Sequence, residues 1–342
     1  MNTDTNPVVS IIVPARNEEA SLAACLESLI TQTGISFEII VVDDDSTDRT
    51  ADIARSFPRV HVVPAGPLPE NWTGKNNAMS AGAKIAKGKW LLFTDADTVH
   101  LPGSLARAVA EAEQHGAALL SYSPEQELRG FWEKTVMPVI FAELAITYPP
   151  QAVSDPTSPI AAANGQYLMI SRQAYDAVGG HTAIANNLLE DVAMARLVKS
   201  SGRKVFFRYG GNAVRTRMYR SFAQMKEGWT KNLALLFPHP IALAVLRSAE
   251  FVLILANVVI AAWAGLSGRS NLALQASLLT IILAGWFWMR IRKAHFSALS
   301  NVIGFLGLPL FSSLLLQSAS LHDSAKVVWK GREYACREST AV

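Results

Sequence analysis

The sequence predicts an α/β domain with a mostly parallel sheet, followed by apolar helices suited to a membrane. Three observations predict it. From Val8 to Phe93, β-branched runs alternate with segments of helical periodicity across short connections, the pattern of parallel strands with helices on both faces. Acidic clusters stand at the carboxyl ends of those runs, where open α/β sheets bind ligands. The chain is 50% hydrophobic and only 17% charged, against about 25% charged in ordinary globular proteins, and the apolar surplus lies beyond about His239.

Taken in order, Val8–Pro14 (VVSIIVP) reads as a buried strand ended by proline. Asn17 reads as the cap of a helix over Glu18–Thr33, with acids in its first turn. Phe37–Val42 is the next strand and runs into Asp43, Asp44, Asp45, Ser46, Thr47 and Asp48. Ser46 or Asp45 is expected to cap a helix over Thr47–Ser56. One cap does not need so many carboxylates, and a fixed carboxylate is also a natural partner for the N–H donors of a nucleobase edge. Arg59–Val63 is a third strand, and a helix follows near Gly74–Ala86.

The central stretch is Lys89–His100, KWLLFTDADTVH. Trp90–Phe93 is a short apolar run, consistent with a strand buried on both faces. It ends in Thr94-Asp95-Ala96-Asp97. Strand alternation would send Asp95 and Asp97 to one side. Two carboxylates at close range repel, and a divalent cation with oxygen ligands relieves the repulsion. Standing alone, such a pair is also the ordinary start of a solvated loop. There is neither a Gly-x-Gly-x-x-Gly fingerprint nor a Gly-x-x-x-x-Gly-Lys-Ser/Thr loop, so neither a dinucleotide site nor a P-loop is expected. The net charge of +3 is too small to argue for a nucleic-acid partner. Two cysteines, Cys25 and Cys336, make no disulfide framework and no zinc site, and suit a reducing cytosol. The polar start MNTDTNPVVS carries no secretion signal.

Four blocks occur in order: SIIVPARNEEASL (Ser10–Leu22), VVDDDSTDRT (Val41–Thr50), Asp95/Asp97, and LLEDVAMARLVKSSG (Leu188–Gly202). Over roughly residues 8–235 they resemble a family 2 glycosyltransferase with the GT-A nucleotide-sugar-binding fold. Trp72-Thr73-Gly74-Lys75, Asn164-Gly165-Gln166, Gly179-Gly180-His181 and Trp329-Lys330-Gly331-Arg332-Glu333-Tyr334 make the chain most similar to membrane-bound carotenoid, hopanoid-associated and ceramide glycosyltransferases. The resemblance implies nucleotide contacts at Pro14, Asn17, Glu18, Asp44 and Asp95, with Asp44 on the uracil of a UDP-sugar. It implies Mg²⁺ or Mn²⁺ on the diphosphate, held by Asp95 and Asp97, and Asp191 as catalytic base. Lys75 is a candidate phosphate or sugar contact, and equally a solvent-facing lysine before a helix.

Glu190 and Asp191 open an amphipathic helix over Leu189–Ser200, where acids also suit the helix dipole. Moving a sugar onto a hydroxyl requires removal of the hydroxyl proton, which a positioned carboxylate does, and the nucleoside diphosphate leaving group needs positive charge. One base and one metal suffice for a single displacement with inversion. Glu190, His181, Arg217 and Trp229 are candidate contacts for the acceptor or diphosphate; for His181 a purely structural place is an equal alternative. Lys204–Asn232 is strongly basic, fitting either the site or anionic headgroups. Processive relatives carry Gln-x-x-Arg-Trp there, and Gln224–Trp229 departs from it, which points to transfer of one sugar.

Phe131–Tyr148 is apolar but carries Glu133, Lys134, Glu143 and Pro138. It reads as a helix lying at the membrane interface, with a buried core helix as the alternative. Glu250–Leu266 and Leu272–Met289 are long enough to span, and Arg290, Arg292 and Lys293 mark a cytoplasmic end. Val302–Ala319 is a third apolar segment, interrupted by Gly304, Gly307 and Pro309, and either spans or re-enters. The expected organisation is a cytosolic catalytic domain over 1–237, a membrane region over 238–321 and a basic cytosolic tail over 322–342, in a multi-pass inner-membrane protein. The expected activity is transfer of one sugar, UDP-glucose being the expected donor, to a lipid hydroxyl. Two rivals are a nucleotidyltransferase acting on a sugar phosphate and a non-catalytic membrane scaffold with the same fold.

Overall fold

The computed structural model describes residues 6–323, 326–329 and 332–335. In chain order the elements begin β1 (Val9–Ala15), α1 (Leu22–Ile30), β2 (Phe37–Asp43), α2 (Thr50–Arg55), β3 (Val60–Pro64), α3 (Gly74–Ile85), β4 (Trp90–Phe93), β5 (Thr98–His100) and α4 (Ser104–His115). They continue with β6 (Leu119–Ser123), β7 (Glu125–Gln126), α5 (Phe131–Thr147), α6 (Pro150–Ser154), β8 (Leu168–Ser171), α7 (Arg172–Ala177) and α8 (Glu190–Ser200). Then come β9 (Val205–Tyr209), β10 (Val214–Thr216), α9 (Phe222–Leu236), α10 (Pro240–Leu266), α11 (Ser270–Ile291), α12 (Ala298–Ile303), α13 (Leu308–Asp323), β11 (Lys326–Trp329) and β12 (Arg332–Ala335). They divide into two compact units, Met1–Glu127 with Tyr148–Met218, and Leu128–Thr147 with Tyr219–Val342.

The first unit holds a seven-stranded sheet in the order β3-β2-β1-β4-β8-β6-β9. β1 pairs parallel with β2 and β4, β2 with β3, and β6 with β9, while β8 runs antiparallel between β4 and β6. The sheet is thus mostly parallel, with one reversed strand. On one face Ile11, Val13 and Leu92 pack with Leu22 and Leu26 of α1 and Leu105 and Ala108 of α4. On the other, Ile12, Leu91 and Phe93 pack with Met79 and Ala83 of α3 and Met194 and Val198 of α8. Burial on both faces is why these strands read as unbroken apolar runs. A second sheet, β5-β10-β7, has strands too short to signal themselves.

Two helix starts differ from expectation for one reason. Asn17 adopts a left-handed φ of 54°; its N–H donates to Ser46 Oγ at 3.1 Å and its Oδ1 accepts from the Thr47 N–H at 2.8 Å. The Glu18 N–H donates to Thr50 Oγ1 at 2.7 Å. Residues 17–19 are therefore stitched to 46–50, so α1 starts at Leu22 rather than at Glu18, and Asn17 does not cap it. Nor does Ser46 or Asp45 cap α2; Asp48 Oδ1 accepts from the Thr50 N–H at 2.9 Å, an Asx-type closure of the turn. Asp95 and Asp97 likewise lie in the turn between β4 and β5 rather than on a strand, so strand alternation does not set their directions.

The second unit is helical apart from the antiparallel pair β11–β12. Three of its segments, Pro240–Leu266, Ser270–Ala294 and Ala298–His322, are long and apolar enough to cross a membrane. The third is α12 and α13 joined by a 3₁₀ turn at Gly304–Gly307. A Cβ on Gly307 would lie 2.0 Å from the Thr135 carbonyl oxygen, so that glycine marks a close approach of α5. α5 and residues 219–237, expected with the α/β domain, fold with this unit instead. Most of α5 is buried, including Val136, Met137, Val139, Ile140 and Glu143. Glu143 is met by Arg247 at 2.9 Å and by Arg290, and Glu250 by Arg247 at 2.9 Å and Arg290 at 2.6 Å, a closed ring of four charges. Lys330, Gly331, Cys336 and Arg337 lie outside the described residues.

Candidate active site

The site assembles in the first unit around the N-terminus of α3. Thr73 caps that helix, its hydroxyl accepting from the Asn76 N–H at 3.1 Å. The next turn aims Lys75 between two acids from distant segments: Nζ lies 2.7 Å from Asp95 and 2.7 Å from Glu190. Asp191 adjoins Glu190 and is held by the Gly165 N–H on Oδ2 and the Val192 N–H on Oδ1, both at 2.8 Å. Gly165 sits where no side chain fits: a Cβ there would lie 2.9 Å from Glu190 Oε1 and 3.2 Å from Lys75 Nζ. The structure thus brings Lys75, Asp95, Glu190 and Asp191 together.

Electrostatics follow from burial and neighbours. Burial works against the Lys75 charge, but Asp95 and Glu190 overcome it and hold its pKa well above the usual lysine value. Burial raises Asp95, with Lys75 opposing and Glu190 adding. Burial, then the neighbouring Glu190 charge, pushes Asp191 up to about 7. A carboxyl near neutrality suits a group that must take a proton and release it.

The turn carrying Asp95 and Asp97 has its own support. The Thr98 hydroxyl donates to the Asp95 carbonyl at 2.7 Å, and the Thr216 hydroxyl to the Asp97 carbonyl at 3.2 Å. Beneath it, Thr94 Oγ1 lies 3.0 Å from His100 Nε2; burial lowers the pKa of His100 to about 3, so the ring is a neutral partner. The buried thiol of Cys25 is pushed up to about 12 by burial and is no nucleophile.

Other expected residues fall as follows. Pro14 is in β1, paired with Val42. Asp44 is buried, its N–H donating to the Ala15 carbonyl at 2.8 Å and its carbonyl accepting from Arg16 at 2.6 Å. The Glu18 carboxylate accepts from the Ser21 hydroxyl at 2.7 Å and stands close enough to raise Asp95 further. His181 is buried: its Nδ1 lies 3.0 Å from the Tyr175 hydroxyl, its ring stands edge-on to Phe93, and burial lowers its pKa to about 3. Arg217 follows β10 in the first unit. Trp229 is a core residue of the second unit, its indole N–H on Met137 Sδ at 3.3 Å and its ring against Phe141 and Tyr219.

Asn76 was not anticipated. Fully buried, it donates through Nδ2 to the carbonyls of Ile184, Ala185 and Asn187 at 2.8, 3.0 and 3.0 Å, and the Thr73 N–H reaches Ala185 at 2.8 Å. The loop leading to Glu190 is thereby tied to the helix that carries Lys75. The only sequence signal was an asparagine pair in a helix's first turn.

Asp95 and Asp97 offer hard oxygen ligands two residues apart, and the Lys75 ammonium shows that the environment of Asp95 receives positive charge. Among the described residues no group of three or more His, Cys, Asp or Glu side chains has metal-holding spacing. A Mg²⁺-type site uses one or two carboxylates completed by substrate phosphates. The residues fit such a cation as part of a complex with a diphosphate.

Residues 10–179 match the family model described as Glycosyl transferase family 2. Two curated relatives from Staphylococcus aureus, strains MRSA252 and USA300, both named 4,4'-diaponeurosporenoate glycosyltransferase, are each 28% identical, covering 96% of this chain and 88% of theirs. Among solved structures, a mannosyltransferase from Pyrobaculum calidifontis in complex with GDP-Man and Mn²⁺ superposes with a TM-score of 0.57 at 19% identity, over 93% of this chain and 87% of that one. With its GT-A-like α/β sheet, its matched motifs and its C-terminal apolar helices, the chain belongs to the family 2 glycosyltransferases.

Proposed function

We propose that the protein is an inverting, metal-assisted enzyme that moves one sugar, with UDP-glucose as donor, to a lipid hydroxyl at the cytosolic face of the inner membrane. The observation that carries the reading is the single cluster of Lys75, Asp95, Glu190 and Asp191, drawn from three distant segments. Asp44 holds the nucleobase, at the carboxyl end of a strand where such sheets bind nucleotides. Asp95 and Asp97 would hold the cation, which when bound offsets charge on the diphosphate. Lys75 adds a second positive charge for the departing diphosphate. Asp191, oriented by two backbone N–H groups, takes the proton from the acceptor hydroxyl as its oxygen bonds to the anomeric carbon and the bond from that carbon to the diphosphate breaks. Glu190 keeps Lys75 in place through the 2.7 Å ion pair.

The lipid acceptor is supported by relatives named for glycosylating 4,4'-diaponeurosporenoate and by the three apolar helices. Membranes holding the protein, incubated with UDP-glucose labelled in the sugar or in the uridine, test the reaction. Sugar label enters the lipid extract and uridine label does not; the reverse result identifies a nucleotidyltransferase, and neither label identifies a scaffold. For orientation, Cys336 stays protected from a membrane-impermeant thiol reagent in intact cells; labelling there places the tail outside.

A further inference from the structure

The Gly179-Gly180-His181 segment is built around a side chain that the transfer chemistry above leaves unused, Tyr175 of α7. The phenol lies against Gly180: a Cβ there would fall 2.5 Å from Tyr175 Cε1 and Cζ. Gly180 also has a left-handed φ of 53°, so no side chain fits. The phenol oxygen then meets His181 twice, accepting from the His181 backbone N–H at 3.2 Å and standing 3.0 Å from His181 Nδ1. Both rings pack on Phe93, with centroids 5.7 Å away for Tyr175 and 4.6 Å, edge-on, for His181. Phe93 ends β4, two residues before Asp95. The imidazole is thus fixed between the strand that leads to the acids and the helix that carries Tyr175.

The supply of donors fixes the proton on the ring. Tyr175 is buried and burial pushes its pKa up to about 12, so near neutrality it keeps its one proton to donate. Among the described residues His181 is the only hydrogen-bond partner of that oxygen, and the His181 backbone N–H already uses one lone pair. If Nδ1–H donated to it as well, the buried phenol proton would have no acceptor, which costs more than a typical hydrogen bond returns. The Tyr175 O–H therefore donates to Nδ1, and the neutral ring carries its proton on Nε2. Glu190 and Lys75 are the charges that act on this ring, so it borders the cluster. Among the described residues no protein group pairs with Nε2, yet the atom is not sealed from solvent. It is a donor open to what enters beside Lys75.

We propose that Tyr175 is a positioning residue that holds His181 as the Nε2–H tautomer, and that this N–H donates to a diphosphate oxygen of the nucleotide-sugar. The same proton excludes His181 from the cation, because a protonated ring nitrogen has no lone pair for a metal. A neutral donor adds to Lys75 without changing the charge of the cluster, and donors aimed at a leaving group act where negative charge develops. The inference deepens the transfer reading above and rests on it.

The tautomer is read on the full chain in lipid bilayers, by solid-state NMR with ¹⁵N-labelled histidine; of the seven histidines, His181 is the signal lost in His181→Gln. A protonated Nε2 and a bare Nδ1 are expected, and a protonated Nδ1 overturns the proposal. This measurement needs no Tyr175 variant to fold. Binding of UDP and of uridine reads the contact. Tyr175→Phe keeps the ring against Gly180 and frees the tautomer; it should weaken UDP about tenfold, the worth of one hydrogen bond, and leave uridine unchanged. Unchanged UDP binding, or equal weakening of both ligands, overturns the contact. Sugar transfer gives the third readout. Tyr175→Phe should lower kcat about tenfold with acceptor KM unchanged, and cost nothing further in His181→Gln, whose amide keeps a donor and has no tautomer to hold. A further loss in that background makes Tyr175 a packing residue and overturns the proposal. A wild type that shows the protonated Nε2 and binds UDP yet transfers no sugar overturns the transfer reading alone.

Discussion

Each unit holds a cluster of four ionisable side chains, and the two are built on opposite plans. In the first, Lys75 meets Asp95, Glu190 and, beside them, Asp191: one cation for three acids, a formal excess of two negative charges. Two of its members keep access to solvent, Lys75 at 34% and Asp95 at 28% exposed, while Glu190 is 9% exposed. In the second, Arg247 and Arg290 close a ring with Glu143 and Glu250, two cations for two acids, none more than 14% exposed. A neutral, closed ring satisfies itself and has structural work only. In the open cluster Asp191 is lifted to about 7, by burial first and by the neighbouring Glu190 charge second. The difference between a fastener and a site here is charge balance and access, since residue types and burial overlap.

The comparison breaks most sharply at Asp191. Asp191→Asn is expected to cut transfer ~10²–10⁴-fold, the range for loss of a general base, with the protein still folded; full activity in a sugar-transfer assay removes the proposed mechanism. In the ring, Glu143→Ala leaves two arginines facing one acid. It should destabilise by about 3–5 kcal/mol, read as a lower melting midpoint in detergent, while kcat per folded molecule holds. Lys75→Met should lower kcat ~10²-fold with little loss of stability, the converse pattern; equal stability losses in both variants would erase the distinction.

Smaller effects sharpen it. If Asp191 must be ionised, the rate should fall about tenfold per pH unit below about 7 and level off above it, and this limb should vanish in Asp191→Asn. The stability sign runs the other way. A folded pKa raised above the ordinary 3.8 means that the ionised form burdens the fold, so Asp191→Asn gains stability as pH rises from 4 through 7. The gain is ~1–2 kcal/mol, because partial exposure of Asp191 screens the full value of the shift. Last, Asn76→Ala strips a donor from the buried Ile184 carbonyl and from the part-buried carbonyls of Ala185 and Asn187 and should cost about 2 kcal/mol, with kcat falling more than KM as Glu190 loses its position.

Strands β1, β2 and β4 were legible because burial on both faces leaves a continuous apolar signature, and the acids were legible because they follow those runs directly. The starts of α1 and α2 were not. Asn17 and Asp45 both carry the right residue type for a cap, yet their loop is closed by bonds between residues about thirty apart, which no local pattern carries. The partnership of Lys75 with Glu190 was hidden for the same reason. Gly304 and Gly307 read as an interruption of a span; their cause, the backbone of Thr135 against Gly307, lies in a helix far upstream. The placement of α5 in the second unit was illegible because its charges argue against burial unless their partners at Arg247 and Arg290 are known.

The ring also sets a schedule. Glu143 precedes Arg290 by 147 residues, so at ribosomal speeds it waits about 7–30 s for its second arginine to be synthesised. Arg247 follows Glu143 by 104 residues, so Glu143 first has neither arginine and then shares Arg247 with Glu250 until Arg290 emerges. The ring is therefore closed only when the end of α11 emerges, and a chain stopped before that point holds Glu143 and Glu250 short of their second arginine.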